Sequence, residues 1–187
     1  MARRILNRPL AVILIIFVLL GGGGLVAYKV IYSNYGLRSH EIISYNNLYA
    51  LSVPSDWEKS SGASKNAVIA AESPSGSMYA MMSSDSDFDA GLTMEEYVNA
   101  YINKMAQSSD NPLVQVVARQ PEEATMGDYT GYYFELDSSA GGVAVHTWDF
   151  VFTGPDGYIH VDVVSEGENH NDQNDTARNI LSSARIL

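Results

Sequence analysis

The sequence predicts an α+β domain, an antiparallel β-sheet flanked by helices, carried behind one N-terminal transmembrane helix. Three observations lead there: an uncharged apolar run near the N-terminus, short strand-like segments divided by tight turns, and two stretches where the apolar spacing becomes helical. The order is strands, helix, strands, helix. That order describes an antiparallel sheet covered by helices, not a series of alternating βαβ units.

The twenty residues from Pro9 to Tyr28 carry no charge and are dominated by Ala, Val, Ile, Leu, Phe and Gly, enough as a helix to cross the hydrocarbon layer. Residues 1–40 hold five basic groups (Arg3, Arg4, Arg8, Lys29, Arg38) and no acid, whereas 22 acids against six bases follow from Glu41. The net charge of −11 is therefore +5 in front and −16 behind. Three arginines within the first eight residues place the N-terminus in the cytoplasm. A cleavable signal peptide fits less well, because Ala27 has Leu25 two positions before it and bulky residues after it. Tyr28, Tyr32 and Tyr35 suit the outer interface. The expected organisation is a cytoplasmic tail (1–8), a transmembrane signal-anchor helix (9–31), a polar linker (32–44) and an extracytoplasmic domain (45–187), localised to the cell membrane as a single-pass protein.

With no cysteine, the outer domain has no disulfide and must be stabilised by packing. An acidic ectodomain also disfavours nucleic acid and anionic membrane surfaces as partners, since both require basic patches. Neutral ligands, cations and basic protein surfaces remain.

Leu48 to Val53 reads as a strand ended by Pro54, which cannot donate to a ladder. Ala67 to Glu72 and Ser77 to Met82 flank the Ser73-Pro74-Ser75-Gly76 turn as a hairpin. Met94, Tyr97, Val98, Tyr101, Ile102 and Met105 then follow the i, i+3, i+4, i+7 rule of an amphipathic helix. Thr93 and Glu96 form a capping box at its start. Strands resume at Leu113 to Gln120, Tyr129 to Asp137, Val143 to Thr153 and Tyr158 to Glu166, and connections this short make them antiparallel. Ala177, Ile180, Leu181 and Ala184 mark a last helix, capped by Asn171 or Asp172.

Closing Gly154 to Gly157 as a hairpin sets Phe152 opposite Ile159, Phe150 opposite Val161 and Trp148 opposite Val163. Pairing Asp137 with Val143 adds Tyr132, Phe134 and Leu136 to this core face. The opposite face then gathers Tyr133, Glu135, Thr147, Asp149, His160 and Asp162, with Asp149 directly across from Asp162. Like charges so placed are destabilising unless solvent, a cation or a protonated imidazole offsets them, so Tyr133, Glu135, Asp149, His160 and Asp162 form the candidate ligand site. A hydrolase using Asp149, His160 and Asp162 is the weaker alternative, since no nucleophile or oxyanion device accompanies them. A slip of one residue in either turn would scatter the cluster. His146 is expected among core or edge residues, and His170 in an exposed polar loop.

Asp85, Asp87, Asp89, Gly91, Thr93 and Glu96 occupy positions 1, 3, 5, 7, 9 and 12 of a calcium loop. Ala90 stands where the turn requires glycine, and the preceding segment reads as a strand rather than a helix. The default is an acidic turn before a helix N-terminus. Ca2+ held by Asp85, Asp87, Asp89 and Glu96 is the one cofactor the sequence raises.

Four features together resemble PsbP-like domains, a group that includes bacterial exported proteins of unknown role. These are the strand running into Val53-Pro54-Ser55-Asp56-Trp57, the capped helix opening Leu92-Thr93-Met94-Glu95-Glu96-Tyr97, three long strands with Gly131 and Tyr133, and the ending Ile180-Leu181-Ser182-Ser183. The resemblance spans nearly all of residues 45–187. It implies an α/β/α sandwich with a binding or assembly role, and it carries no catalytic residues across. The functional expectation is a membrane-anchored, non-catalytic domain recognising a protein or cell-envelope ligand, with a cation-dependent module as the alternative.

Overall fold

Ten strands and two α-helices are described in the computed structural model, which describes residues 38–60, 67–85, 91–107, 116–140, 142–167 and 170–187. The expected anchor at 9–31 lies outside the described residues, as do Asp87, Asp89 and Ala90. Among the described residues, no helix is long and apolar enough to cross a membrane.

A three-stranded sheet in the order β1-β2-β10 is built from β1 (Ser39–Ile43), β2 (Tyr49–Pro54) and β10 (Arg185–Ile186). β1 falls in the segment expected to be a polar linker. Only Ile42 among its five residues is buried, so it lacks the alternation by which a strand is recognised.

The second sheet has seven strands in the order β3-β4-β5-β9-β8-β7-β6. These are β3 (Glu58–Lys59), β4 (Ala67–Glu72), β5 (Met78–Asp85), β6 (Val116–Met126), β7 (Tyr129–Ala140), β8 (Val143–Gly154) and β9 (Gly157–Glu166). Every pairing is antiparallel. The edges are protected against further pairing: β3 is two residues long, and β6 carries Arg119, Pro121, Glu122 and Glu123. Pro121 lies where the β6–β7 register shifts, as expected of a residue without an N–H to donate.

Helix α1 (Met94–Gln107) begins with the expected capping box. The Thr93 backbone N–H donates to Glu96 Oε2 at 2.8 Å, and the Glu96 N–H donates to Thr93 Oγ1 at 3.3 Å. Helix α2 (Asn174–Leu181) corrects the expected cap. Gln173 precedes it without a side-chain capping bond, and Asn171 and Asp172 belong to a 3₁₀ turn, His170–Gln173.

Each face of the large sheet is covered. One face carries Met82, Trp148, Phe150, Phe152, Ile159, Val161 and Val163, and packs against Leu51 and Val53 of the small sheet and Ala177, Ile180 and Leu181 of α2. The other face carries Phe134, Leu136, Val151 and Tyr158 under Tyr97, Val98 and Ile102 of α1. Gly131 of β7 leaves room for the β8 backbone beside it. A Cβ there would stand 2.0 Å from the Val151 carbonyl oxygen.

Candidate functional site

The β8–β9 hairpin has the expected register: Thr153 pairs Tyr158, and Asp149 lies opposite Asp162. The β7–β8 register differs. Asp137 pairs His146 instead of Val143, and Ala140 pairs Val143 across a two-residue connection. A shift of three residues is odd, so it turns β7 over. Tyr133 and Glu135 therefore share a face with Trp148 and Phe150, while Phe134 and Leu136 join Asp149. The five predicted site residues are thereby split between the two sides of the sheet. The Gly141-Gly142 dipeptide is the signal that would have corrected this, because two-residue hairpins favour glycine at both central positions.

Asp149, His160 and Asp162 do come together, but beneath α1 instead of on a solvated face. Asp149 is 2% exposed and His160 3%. Tyr97 and Tyr101 lie over the imidazole, with ring centroids 5.5 Å and 4.6 Å away. The Tyr97 hydroxyl donates to Asp85 Oδ2 at 2.7 Å and is 2.6 Å from His160 Nε2. A phenol has one proton to give, so its bond to Asp85 assigns the His160 proton to Nε2 and leaves Nδ1 as a bare acceptor. Nδ1 has no hydrogen-bond partner among the described residues, and neither do Asp149 Oδ2 and Asp162 Oδ1.

The electrostatics follow from this burial. Loss of solvent, then the charge of Asp162 and a hydrogen bond with it, push the Asp149 carboxyl well above the usual carboxylate range. Desolvation lowers the His160 imidazole against the opposing pull of Asp162 and Asp85. Tyr97 and Tyr101 are both raised, first by burial and then by the carboxylates around them. The Asp149–Asp162 repulsion, for which solvent, a cation or a protonated imidazole is the expected offset, instead pushes the Asp149 carboxyl toward its protonated form, while the His160 imidazole is lowered.

On the other face, Tyr133 lies between two guanidinium groups. Arg119 Cζ is 5.2 Å and Arg178 Cζ 5.1 Å from its ring centroid, and its hydroxyl donates to Glu135 Oε1. Burial and the Glu135 bond raise the Tyr133 phenol. Further along β8, the buried His146 ring meets Asp137 Oδ1 through Nδ1 at 2.6 Å, and Glu135 Oε2 stands 3.5 Å from its Nε2. His170 stacks on it at 4.1 Å with 5° between the planes, and Trp148 meets it edge-on at 4.4 Å. The expectation that His146 lies among core residues holds. His170, expected to be exposed, is half-buried against it. Sequence reasoning missed this corner because β7 was turned over and because His170 arrives from a turn 24 residues after His146.

The calcium-loop residues are partly engaged elsewhere. Asp85 ends β5 and receives the Tyr97 hydroxyl, and Glu96 Oε2 accepts both the N–H and the hydroxyl of Thr93. The segment before the loop is a strand, as the sequence indicates, so the helix that opens an EF-hand is missing from that position.

No protein-family model matches the sequence, and no curated protein matches it. Among solved structures, the chain is similar to the solution structure of cyanobacterial PsbP (CyanoP) from Synechocystis, with a TM-score of 0.58 and 14% identity, covering 80% of this chain and 92% of that one. It is also similar to a crystal structure from Bacteroides thetaiotaomicron, with a TM-score of 0.50 and 10% identity, covering 79% of this chain and 48% of that one. LpqN of Mycobacterium tuberculosis, a protein involved in cell envelope biogenesis, aligns with a TM-score of 0.40 and 14% identity over 80% of this chain and 91% of its own. At such identities the likeness concerns the fold, and the fold is PsbP-like.

Proposed function

We propose that this chain is a single-pass, N-in membrane protein whose outer PsbP-like domain recognises a protein or cell-envelope ligand and catalyses no reaction. The observation that supports a binding role most directly is the sealing of Asp149, His160 and Asp162. Among the described residues these three groups are buried beneath α1, with Tyr97 and Tyr101 packed against the imidazole and Tyr101 against Phe134. Anchoring rests on the apolar run from Pro9 to Tyr28 and on the contrast of +5 before Glu41 with −16 after it.

The recognition surface we favour is the β1–β2 turn. Tyr45 is 83% exposed there, Ile43 and Leu48 within three residues of it are exposed too, and the exposed Leu187 is hydrogen-bonded through its N–H to the Leu48 carbonyl. Exposed apolar side chains that gather in this way mark interaction surfaces. A photo-crosslinking residue in place of Tyr45, activated in intact cells, is expected to give one dominant adduct. That adduct should be lost in a Leu48→Asp background. Diffuse labelling unaffected by Leu48→Asp, or turnover on a hydrolase panel that disappears with His160→Gln, would overturn the reading.

Topology has its own test. Protease added to right-side-out spheroplasts should digest the chain beyond about residue 40 and leave a small membrane fragment. Full protection of the C-terminal domain would refute the orientation.

A further inference from the structure

At the corner where β7, β8 and the turn before α2 meet, two acceptors face each other. Asp137 Oδ1 lies 2.6 Å from His146 Nδ1, and with the imidazole proton on Nδ1 and donated to that carboxylate, Nε2 presents a lone pair. Opposite that lone pair, 3.5 Å away, stands Glu135 Oε2. His146 is 3% exposed and its Nε2 has no hydrogen-bond partner among the described residues. A buried lone pair aimed at a carboxylate is unfavourable unless something positive lies between them.

The spacing indicates what that is. Bonds of about 2.0–2.2 Å at a tetrahedral angle hold neighbouring ligand atoms roughly 3.3–3.6 Å apart around zinc. Glu135 and His146 meet that requirement. His170 is within reach of His146, since one ligand atom from each of Asp137, His146 and His170 lies within 4.8 Å of the others, a trio that does not include Glu135. An imidazole whose other nitrogen is held by a carboxylate is also the usual form of a metal-bound histidine, because the carboxylate fixes the tautomer and orients the ring. Trp148, edge-on to His146, walls the ring on the buried side.

We infer that this corner binds a divalent transition-metal ion of the zinc class. Glu135 and His146 provide facing donors, Asp137 orients His146 through Nδ1, and His170 completes the set. His170 must leave the stack to do so. Parallel rings send their in-plane lone pairs side by side, and a rotation of the half-buried His170 side chain brings one nitrogen toward the ion. Imidazole and carboxylate donors together suit zinc, copper and nickel and disfavour calcium, which prefers oxygen alone. Arg119, whose Nη1 is 3.7 Å from Glu135 Oε1, restrains the other oxygen of that carboxylate and limits the charge the site presents.

The test uses the full chain in detergent, stripped with chelator and titrated with zinc chloride against a chromogenic competitor, with cobalt as a spectroscopic probe. One zinc per chain is expected, with a rise in melting temperature that chelator reverses and with cobalt bands of tetrahedral intensity. His170→Gln and Glu135→Gln should each weaken zinc binding at least tenfold, on the order of what loss of a supporting group costs a metal site. Asp156→Asn, in the β8–β9 turn, should bind as the native chain does. Both glutamine variants change partly exposed side chains, so their folding is checked by the melting transition in chelator. Absence of saturable one-to-one binding would overturn the site, and so would unchanged affinity in both glutamine variants.

Discussion

The two faces of the seven-stranded sheet solve the same packing problem differently. The face under the small sheet and α2 is filled mainly by Trp148, Phe150, Phe152 and aliphatic side chains, with Tyr133 as a neutral phenol among them. The face under α1 has an apolar frame of Phe134, Leu136 and Val151, but its middle is occupied by Asp149, His160 and Asp162. Adjacent residues of the same strand therefore lie in opposite environments, Trp148 in hydrocarbon and Asp149 in a buried polar network. The first face contributes stability through area. The second holds α1 in place through a small set of groups whose protonation must be right.

Four perturbations sharpen that contrast. The largest effect belongs to Trp148→Ala, expected to cost roughly 3–5 kcal/mol in denaturant unfolding because a large buried aromatic leaves a cavity. A loss below 1 kcal/mol would mean that the apolar face is not the main source of stability. Tyr97→Phe comes next, at about 1–3 kcal/mol, since removing the hydroxyl takes hydrogen-bond partners from His160 Nε2 and Asp85 together. If the variant is as stable as the native chain, the network under α1 is passive.

Asp149→Asn tests the proton. A carboxyl raised by folding gives stability that is fully present below the ordinary aspartate value and is lost as pH climbs through the folded one. His160 has the opposite sign. Its lowered imidazole gives stability present above about pH 6.5 and lost as pH falls toward the folded value. The asparagine variant should therefore gain on the native chain as pH rises from 4 to 8, by equilibrium unfolding at each pH, and retain the acid-side loss due to His160. Parallel profiles would show that Asp149 is not the protonated partner. The smallest effect is that of calcium. Calcium and magnesium should produce the same slight change in melting temperature up to about 10 mM, and a calcium-specific rise of several degrees would restore the loop of Asp85, Asp87, Asp89 and Glu96 as a binding site.

Much of this fold was legible because its signals are local. The α1 spacing and its Thr93–Glu96 box, the Ser73–Gly76 hairpin and the Gly154–Gly157 turn each depend on residues close in sequence, and the last was enough to set Asp149 against Asp162. What failed was parity. Counting the β7–β8 connection three residues too loosely moved Tyr133 and Glu135 to the wrong side, since strand faces alternate with every residue. The same error hid the neighbourhood of His146. The meeting of His146 with His170 was beyond any local rule, because it depends on how the turn before α2 returns to the sheet. β1 was missed for a different reason: a strand with Ile42 as its one buried side chain has no hydrophobic pattern to read.

The small sheet has a consequence for the order of events during synthesis. Ser183 Oγ accepts from the Ser52 backbone N–H and donates to its carbonyl, joining residues 131 apart, and β10 pairs β2 beside them. Contacts this distant are closed late, because the entropy of closing the intervening chain must be overcome before they contribute. Until residue 186 has emerged, β2 has one free edge, and the core beneath it lacks the Ile180 and Leu181 of α2. A nascent chain of this design stays open through most of its elongation. A chain truncated before β10 would present β2 with an unpaired edge.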